Sequence, residues 1–205
     1  MLILALILSY LIGAIPTAYI LGKCGPGIDI RQHGSGNVGA TNAFRTLGKG
    51  LGTLVLCLDI LKGVIAVTLI ADLCATTSII ERLSMAVVVV IGHNWTIFLQ
   101  FKGGKGIATT LGVLIGLAIK SQGVIPVLLG TLGIWMITFL IFRIVSLSSL
   151  IGAVALPVLM AVTAQPIELF FLGVIFAIFI VIRHRPNIKR LLQGQEPRVK
   201  STKKK

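Results

Sequence analysis

Between Arg31 and Arg45 the chain reads Arg-Gln-His-Gly-Ser-Gly-Asn-Val-Gly-Ala-Thr-Asn-Ala-Phe-Arg, a run of glycines, hydroxyls, amides and two arginines set between strongly apolar stretches. Such residues at such spacing suit the binding of an anion at a membrane surface. Gly34, Gly36 and Gly39 let the backbone turn tightly and aim its N–H groups inward. Ser35, Asn37, Thr41, Asn42 and Arg45 supply further donors around a phosphate. The competing reading is an ordinary polar loop between two membrane helices, which has no need of so many small donors and two arginines.

Three further clusters have related compositions. His93-Asn94-Trp95 is followed by Phe101-Lys102-Gly103-Gly104-Lys105-Gly106 and then Thr109. Glycines just before a helix allow a ligand to approach free N–H groups, while Lys102 and Lys105 add mobile positive charge. The order of a Walker loop is absent, and a basic membrane boundary is the plainer alternative. His93 reads as a structural hydrogen-bonder and Trp95 as an interfacial anchor. Arg143 and Ser146 stand either at a helix boundary, with hydroxyls capping the next helix, or at the rim of an anion pocket. From Arg183 to Glu196 come His184, Pro186, Asn187 and an Ile188, Leu191, Leu192 pattern that predicts a short helix along the membrane, with Glu196 available to tether a basic partner.

The elements that must position these clusters are membrane helices. Of the 205 residues 56% are hydrophobic and only 12% charged, with a mean hydropathy of +1.01, which points to bilayer as solvent. Apolar runs at 2–22, 51–71, 84–100, 107–120, 124–142, 147–165 and 167–182 approach the ~20 residues that cross about 30 Å of hydrocarbon. The expectation is therefore an all-α polytopic protein of seven spans, one domain over 1–205, with a cytoplasmic tail over 183–205. The runs at 84–100 and 107–120 are short or interrupted, and five or six spans are the alternatives. The first run lacks a basic leader and a small-residue cleavage site, and reads as a retained helix.

Lys23, Arg31, Arg45, Lys49, Lys102, Lys105, Arg143 and the nine Lys/Arg from Arg183 onward fall on one side, against Arg82 and Lys120 on the other. The positive-inside rule then puts the N-terminus outside and the C-terminus and every glycine-rich or basic cluster in the cytoplasm. This distribution, with a tail from Arg198 to Lys205 able to lie on anionic headgroups, accounts for the net charge of +13 without nucleic acid. Cys24, Cys57 and Cys74 form no metal or redox spacing and read as apolar fillers. Gly13, Ala14, Ala18, Gly22, Gly112 and Gly116 offer surfaces for close helix approach. Pro16 and Pro157 interrupt or kink their spans. Asp59 and Lys62, at i and i+3 in an apolar helix, form an ion pair or face the site, and their depth favours structural support.

Donor-rich loops at a membrane surface, with no carboxylate pair for magnesium, no metal-ligand spacing and no HxxxxD, point to a metal-independent membrane enzyme acting on phosphates. A transporter or channel for a phosphorylated metabolite is the rival, although its polar residues would be expected near the midplane. Taken together, Gly34-Ser-Gly-Asn-Val-Gly-Ala-Thr-Asn-Ala-Phe-Arg45, the His93-Asn-Trp and Phe101-Lys-Gly-Gly-Lys-Gly pair, and Arg183-His-Arg-Pro-Asn-Ile-Lys-Arg-Leu-Leu-Gln-Gly-Gln-Glu196 resemble the three motifs of the bacterial acyl-phosphate:glycerol-3-phosphate acyltransferase family, PlsY. The resemblance covers nearly the whole chain, and no central motif residue departs from it.

That resemblance implies transfer of a fatty acyl group from acyl phosphate to the 1-hydroxyl of glycerol 3-phosphate, giving 1-acyl-glycerol 3-phosphate and phosphate in phospholipid synthesis. It implies no cofactor or metal, a bacterial cell (inner) membrane location, contact with membrane lipids, and a functional link to a soluble enzyme that makes acyl phosphate. It carries catalytic roles onto Ser35, Arg45, His184 and Asn187, glycerol-phosphate binding onto Gly103, Gly104 and Gly106, and a supporting role onto Glu196. Lys102, Lys105, Arg143 and Ser146 are additional candidates for phosphate contact. An acyl phosphate is already activated, so direct attack by the acceptor hydroxyl is expected, with the proton passing to the donor phosphate or to His184.

Overall fold

The structure is a computed structural model that describes residues 1–76 and 78–199; the remainder of the basic tail expected on headgroups lies outside them. No strand occurs among the described residues. The helices are α1 (Leu2–Ala14), α2 (Thr17–Cys24), α3 (Ala40–Thr46), α4 (Gly48–Ile65), α5 (Ala71–Leu73), α6 (Ile79–Asn94), α7 (Ile107–Lys120), α8 (Ile125–Phe142), α9 (Val145–Val162), α10 (Ile167–Arg183) and α11 (Arg185–Leu192). A π-helical turn, Ala66–Ile70, joins α4 to α5.

Each apolar run expected from the sequence contains a helix, although the runs at 2–22, 84–100 and 147–165 are not helical throughout. Among the described residues four helices are long and apolar enough to cross a membrane, Gly48–Leu73, Ile79–Leu99, Gln122–Phe142 and Val145–Val162, and the number rises to six if two bent pairs each count as one span. The first pair, α1 and α2, bends by 44° because Ile15, preceding Pro16, leaves the helical region with ψ 115°. The second, α10 and α11, bends by 65°, with Pro186 in the first turn of α11 where its missing N–H is harmless. The fourth run, α7, has 14 residues, and at 1.5 Å per residue reaches about 21 Å.

The chain forms two compact units, residues 1–124 and residues from Ile125 onward. In the first, α1 packs on α6 and α4 on α7. Without a hydrophobic force between helices in lipid, such pairs depend on close backbone approach. Across α4 and α7 the approach is reciprocal: a Cβ on Gly63 would fall 2.3 Å from the Thr109 carbonyl oxygen, and one on Gly112 1.9 Å from that of Ile60. Gly13 and Gly92 have the same role between α1 and α6. At one end of this unit Asp72 pairs with Arg82 at 3.1 Å and with Lys120, while Arg82 also donates to the Val67 carbonyl in the π-helical turn. These are the two cations that charge asymmetry sets apart from the rest.

In the second unit α9 packs against both α8 and α10. Gly173 meets Pro157 and Met160 there. Of the cysteines only Cys74 is buried; Cys24 and Cys57 are exposed, so just one of the three fills a core.

Candidate active site

The first cluster begins at Asp29, whose carboxylate accepts from the Arg31 backbone N–H at 3.1 Å and makes a two-point pair with its guanidinium at 3.0 and 2.7 Å. Hydrogen bonds from the Arg31 side chain hold the Asp29 carboxyl down at about 2. Arg31 also lies 4.8 Å from the centroid of the Tyr19 ring. Of the two arginines, Arg31 is therefore committed to its own loop. Arg45, on α3, is exposed and makes no side-chain hydrogen bond or ion pair among the described residues.

Gly34 and Gly36 take left-handed φ values of +61° and +70° and turn the chain back towards α3. Asn42, 1% exposed, closes this turn. Its Oδ1 accepts the Ser35 N–H at 2.9 Å, and its Nδ2 donates to the carbonyls of His33 at 3.0 Å and Ile30 at 3.3 Å. The amide expected to reach a substrate is spent on the loop backbone, which makes Asn42 the brace of the cluster. Ser35 and Thr41 are left exposed. Gly39 is the N-cap of α3, with the Asn37 amide beside it.

The second cluster shares a core with the first: Leu99, on the turn after α6, packs with Ile30, Val38, Ala43, Ala18 and Val55. Two of its glycines lie tight against the end of α6. The Gly103 and Gly104 N–H groups donate to the carbonyls of Asn94 at 3.1 Å and His93 at 3.0 Å. A Cβ on Gly103 would fall 2.1 Å from the His93 carbonyl oxygen, and one on Gly104 2.1 Å from His93 Nε2. Glycine is needed here because the loop folds back onto the end of α6, so these two N–H groups are not ligand donors. Gly106, at φ +80°, starts α7. Lys102 is exposed and Lys105 partly buried beside the glycines. Asp59 and Lys62 form the expected ion pair at 2.8 Å, both buried.

In the second unit Glu196 gathers a buckle. Its Oε1 accepts from Ser146 Oγ at 2.7 Å and Asn187 Nδ2 at 2.6 Å, and its Oε2 from Arg190 Nε at 2.7 Å. The Val199 N–H donates to the Arg143 carbonyl at 2.8 Å, with Arg143 itself at φ +57°. Ser146 thus holds the tail rather than presenting its hydroxyl, and the helix-capping alternative also fails because α9 has no side-chain cap. His184, 2% exposed, has Nδ1 2.8 Å from the Ile180 carbonyl; a carbonyl can only accept, so Nδ1 carries the proton and Nε2 is the basic nitrogen of the neutral ring.

Burial raises the pKa of the Glu196 carboxyl, but the hydrogen bonds from Asn187, Ser146 and Arg190 outweigh it and leave the value below the ordinary 4.5. The buckle is then at full strength above that ordinary value and weakens as pH falls through the lowered one. A label on a cysteine at position 199 should gain mobility in the parent protein only at acid pH, and in Glu196→Ala already at neutral pH. Equal mobility in both at neutral pH would refute the buckle.

Sequence reasoning missed Asp29 as the partner of Arg31, Thr17 as a partner of Asp59, and the floor that His93 and Asn94 provide for the glycines. Asp29 alone had a local signal, a carboxylate two residues before an arginine at a turn.

The chain matches the glycerol-3-phosphate acyltransferase family over residues 3–194. A glycerol-3-phosphate acyltransferase of a Synechococcus species (strain JA-2-3B'a(2-13)) is 45% identical over 96% of this chain and 94% of its own. The enzyme of that name from Trichormus variabilis is 43% identical over 94% and 89%. Among solved structures, PlsY, an integral membrane glycerol 3-phosphate acyltransferase, superposes in its glycerol 3-phosphate form with a TM-score of 0.87 and 36% identity, over 97% of this chain and 96% of the other. Its lysophosphatidic acid form gives 0.85 and 36%, over 97% and 95%.

Proposed function

Because the chain belongs to the glycerol-3-phosphate acyltransferase family, we propose that it acylates the 1-hydroxyl of glycerol 3-phosphate, with fatty acyl phosphate as donor. The observation that carries this reading is the likeness, over 97% of the chain, to structures in glycerol 3-phosphate and lysophosphatidic acid forms, which correspond to the acceptor and the product of that reaction. The exposed Ser35, Thr41 and Arg45 on a braced loop supply donors for phosphate. Lys102 and Lys105, in the same unit, add positive charge.

The acceptor hydroxyl oxygen attacks the acyl carbonyl carbon, the bond from that carbon to the phosphate oxygen breaks, and phosphate leaves. Ser35 and Arg45 stabilise charge on the departing group. The hydroxyl proton goes to the departing phosphate; the burial of His184 against its own helix favours this acceptor over the histidine. No covalent enzyme intermediate is needed, since the mixed anhydride is already activated.

Protein in lipid nanodiscs, given acyl phosphate and glycerol 3-phosphate without divalent metal, should form lysophosphatidic acid and phosphate. Product from acyl-CoA but none from acyl phosphate would overturn the donor, and substrate flux without acylation would favour transport. Ser35→Ala should lose most activity, while parent enzyme quenched after mixing with acyl phosphate alone should carry no acyl group by mass spectrometry; an ester on Ser35 would overturn direct attack. His184→Ala should retain near-normal single-turnover chemistry.

The same reading takes the seven apolar helices as seven spans of a bacterial cell membrane, the inner one in a two-membrane cell, with the N-terminus outside and the C-terminus in the cytoplasm. The distribution of Lys and Arg supports it, and the same reading has a soluble enzyme supply the acyl phosphate. Single cysteines near 45, 103 and 190 should label from the cytoplasm and those near 78 and 121 from outside. Labelling of 45 and 103 from opposite sides would refute this topology.

A further inference from the structure

Buried polar side chains from three helices meet inside the first unit near the break between α1 and α2. Asp59 in α4 is 1% exposed and Lys62 4%. Asp59 Oδ1 accepts from Thr17 Oγ1 at 2.7 Å, pairs with Lys62 Nζ at 2.8 Å and lies 3.7 Å from His93 Nδ1. Lys62 is anchored a second time, by the Ile15 carbonyl at 3.3 Å.

An ion pair explains Asp59 and Lys62 but not His93, which comes from another helix and turns Nδ1 to the carboxylate. The opposite edge of its ring faces the glycine loop, since a Cβ on Gly104 would fall 2.1 Å from Nε2. The His93 carbonyl accepts the Gly104 N–H at 3.0 Å, and the Asn94 carbonyl that of Gly103 at 3.1 Å. One residue thus provides both a ring and a carbonyl as the floor of the loop between Lys102 and Lys105. A fixed negative charge at one ring nitrogen favours the proton there and sets the orientation of the imidazole.

We infer that Asp59 is a positioning residue for glycerol 3-phosphate binding: it fixes the His93 ring, and the ring fixes the Gly103–Gly104 backbone that carries Lys102 and Lys105. This rests on the acyl-transfer reading, but the geometric link can be measured without turnover. Asp59→Asn keeps the shape and an oxygen for Thr17 while removing the charge. Asp59→Asn/Lys62→Met leaves no unpaired buried charge, so it preserves folding if the ion pair is the only concern.

In nanodiscs, Asp59→Asn, His93→Gln and Asp59→Asn/Lys62→Met should each raise the KM for glycerol 3-phosphate about tenfold with a smaller change in kcat, and speed amide exchange across 101–106 by a similar factor. Asp59→Asn/His93→Gln should be no worse than either single variant, because both act through one ring. Parent-like KM and exchange in Asp59→Asn/Lys62→Met would reduce the cluster to an ion pair and overturn the proposal, as would multiplying effects in the Asp59–His93 double variant. Parent protein that forms no lysophosphatidic acid would remove the functional reading, and the exchange data alone would then decide the positioning claim.

Discussion

Asn42→Leu should reduce kcat/KM for acyl transfer by about a hundredfold or more, without Asn42 touching a substrate. The amide makes three hydrogen bonds to the loop backbone, each worth about 1 kcal/mol net, and a total near 3 kcal/mol corresponds to about two powers of ten. Ser35 and Arg45 would lose the frame that presents them. Asn42→Asp preserves the acceptor for the Ser35 N–H but loses both donations, so it should stay impaired. Trypsin should cut at Arg31 or Arg45 faster in both variants. An Asn42→Leu protein with parent kcat/KM would show that the loop holds its shape by other means.

Gly103→Ala is the second large effect. The new methyl would fall 2.1 Å from the His93 carbonyl oxygen and 2.8 Å from the Asn94 carbonyl, and both neighbours are backbone. Relief requires the loop to lift, which breaks the hydrogen bonds from Gly103 and Gly104. Overpacking of this kind costs about 1–3 kcal/mol, so the unfolding midpoint should fall by about 2–10 °C. Activity should fall through kcat as well as KM, since the whole segment carrying Lys102 and Lys105 moves. Gly48→Asn is the control: φ is +85° but nothing lies within 4 Å of a Cβ there, and asparagine tolerates that conformation, so kcat/KM should stay within about twofold. A pure KM effect in Gly103→Ala, with an unchanged midpoint, would restore the view that the glycine exists for the ligand.

These two residues show where the sequence was legible. Long apolar runs announce membrane helices through length alone, and the short run at α7 announces its own ambiguity. The Asp59–Lys62 pair could be read because i and i+3 are neighbours on one helix. Thr17 and His93 could not be added to it, since nothing local relates them to residue 59. Glycine in Lys-Gly-Gly-Lys marks a close approach without saying to what, and here the neighbour is a carbonyl ten residues earlier. Asn42 was legible as a hydrogen-bonding group, but an amide that serves a ligand and one that serves its own loop look alike in sequence.

The reciprocal glycine seams between α1 and α6 and between α4 and α7 also bear on where hydrocarbon can lie. A gap in which an added methyl would fall 1.9 Å from a carbonyl oxygen has no room for a lipid methylene. Acyl chains are thus shut out of both seams and confined, in this unit, to side-chain-covered faces such as that of Ile3, Ile7 and Leu11, which are exposed on α1. Engineering of fatty-acid length in this unit should be aimed at those faces, because enlarging a seam glycine would push the paired backbones apart before it shortened any tail.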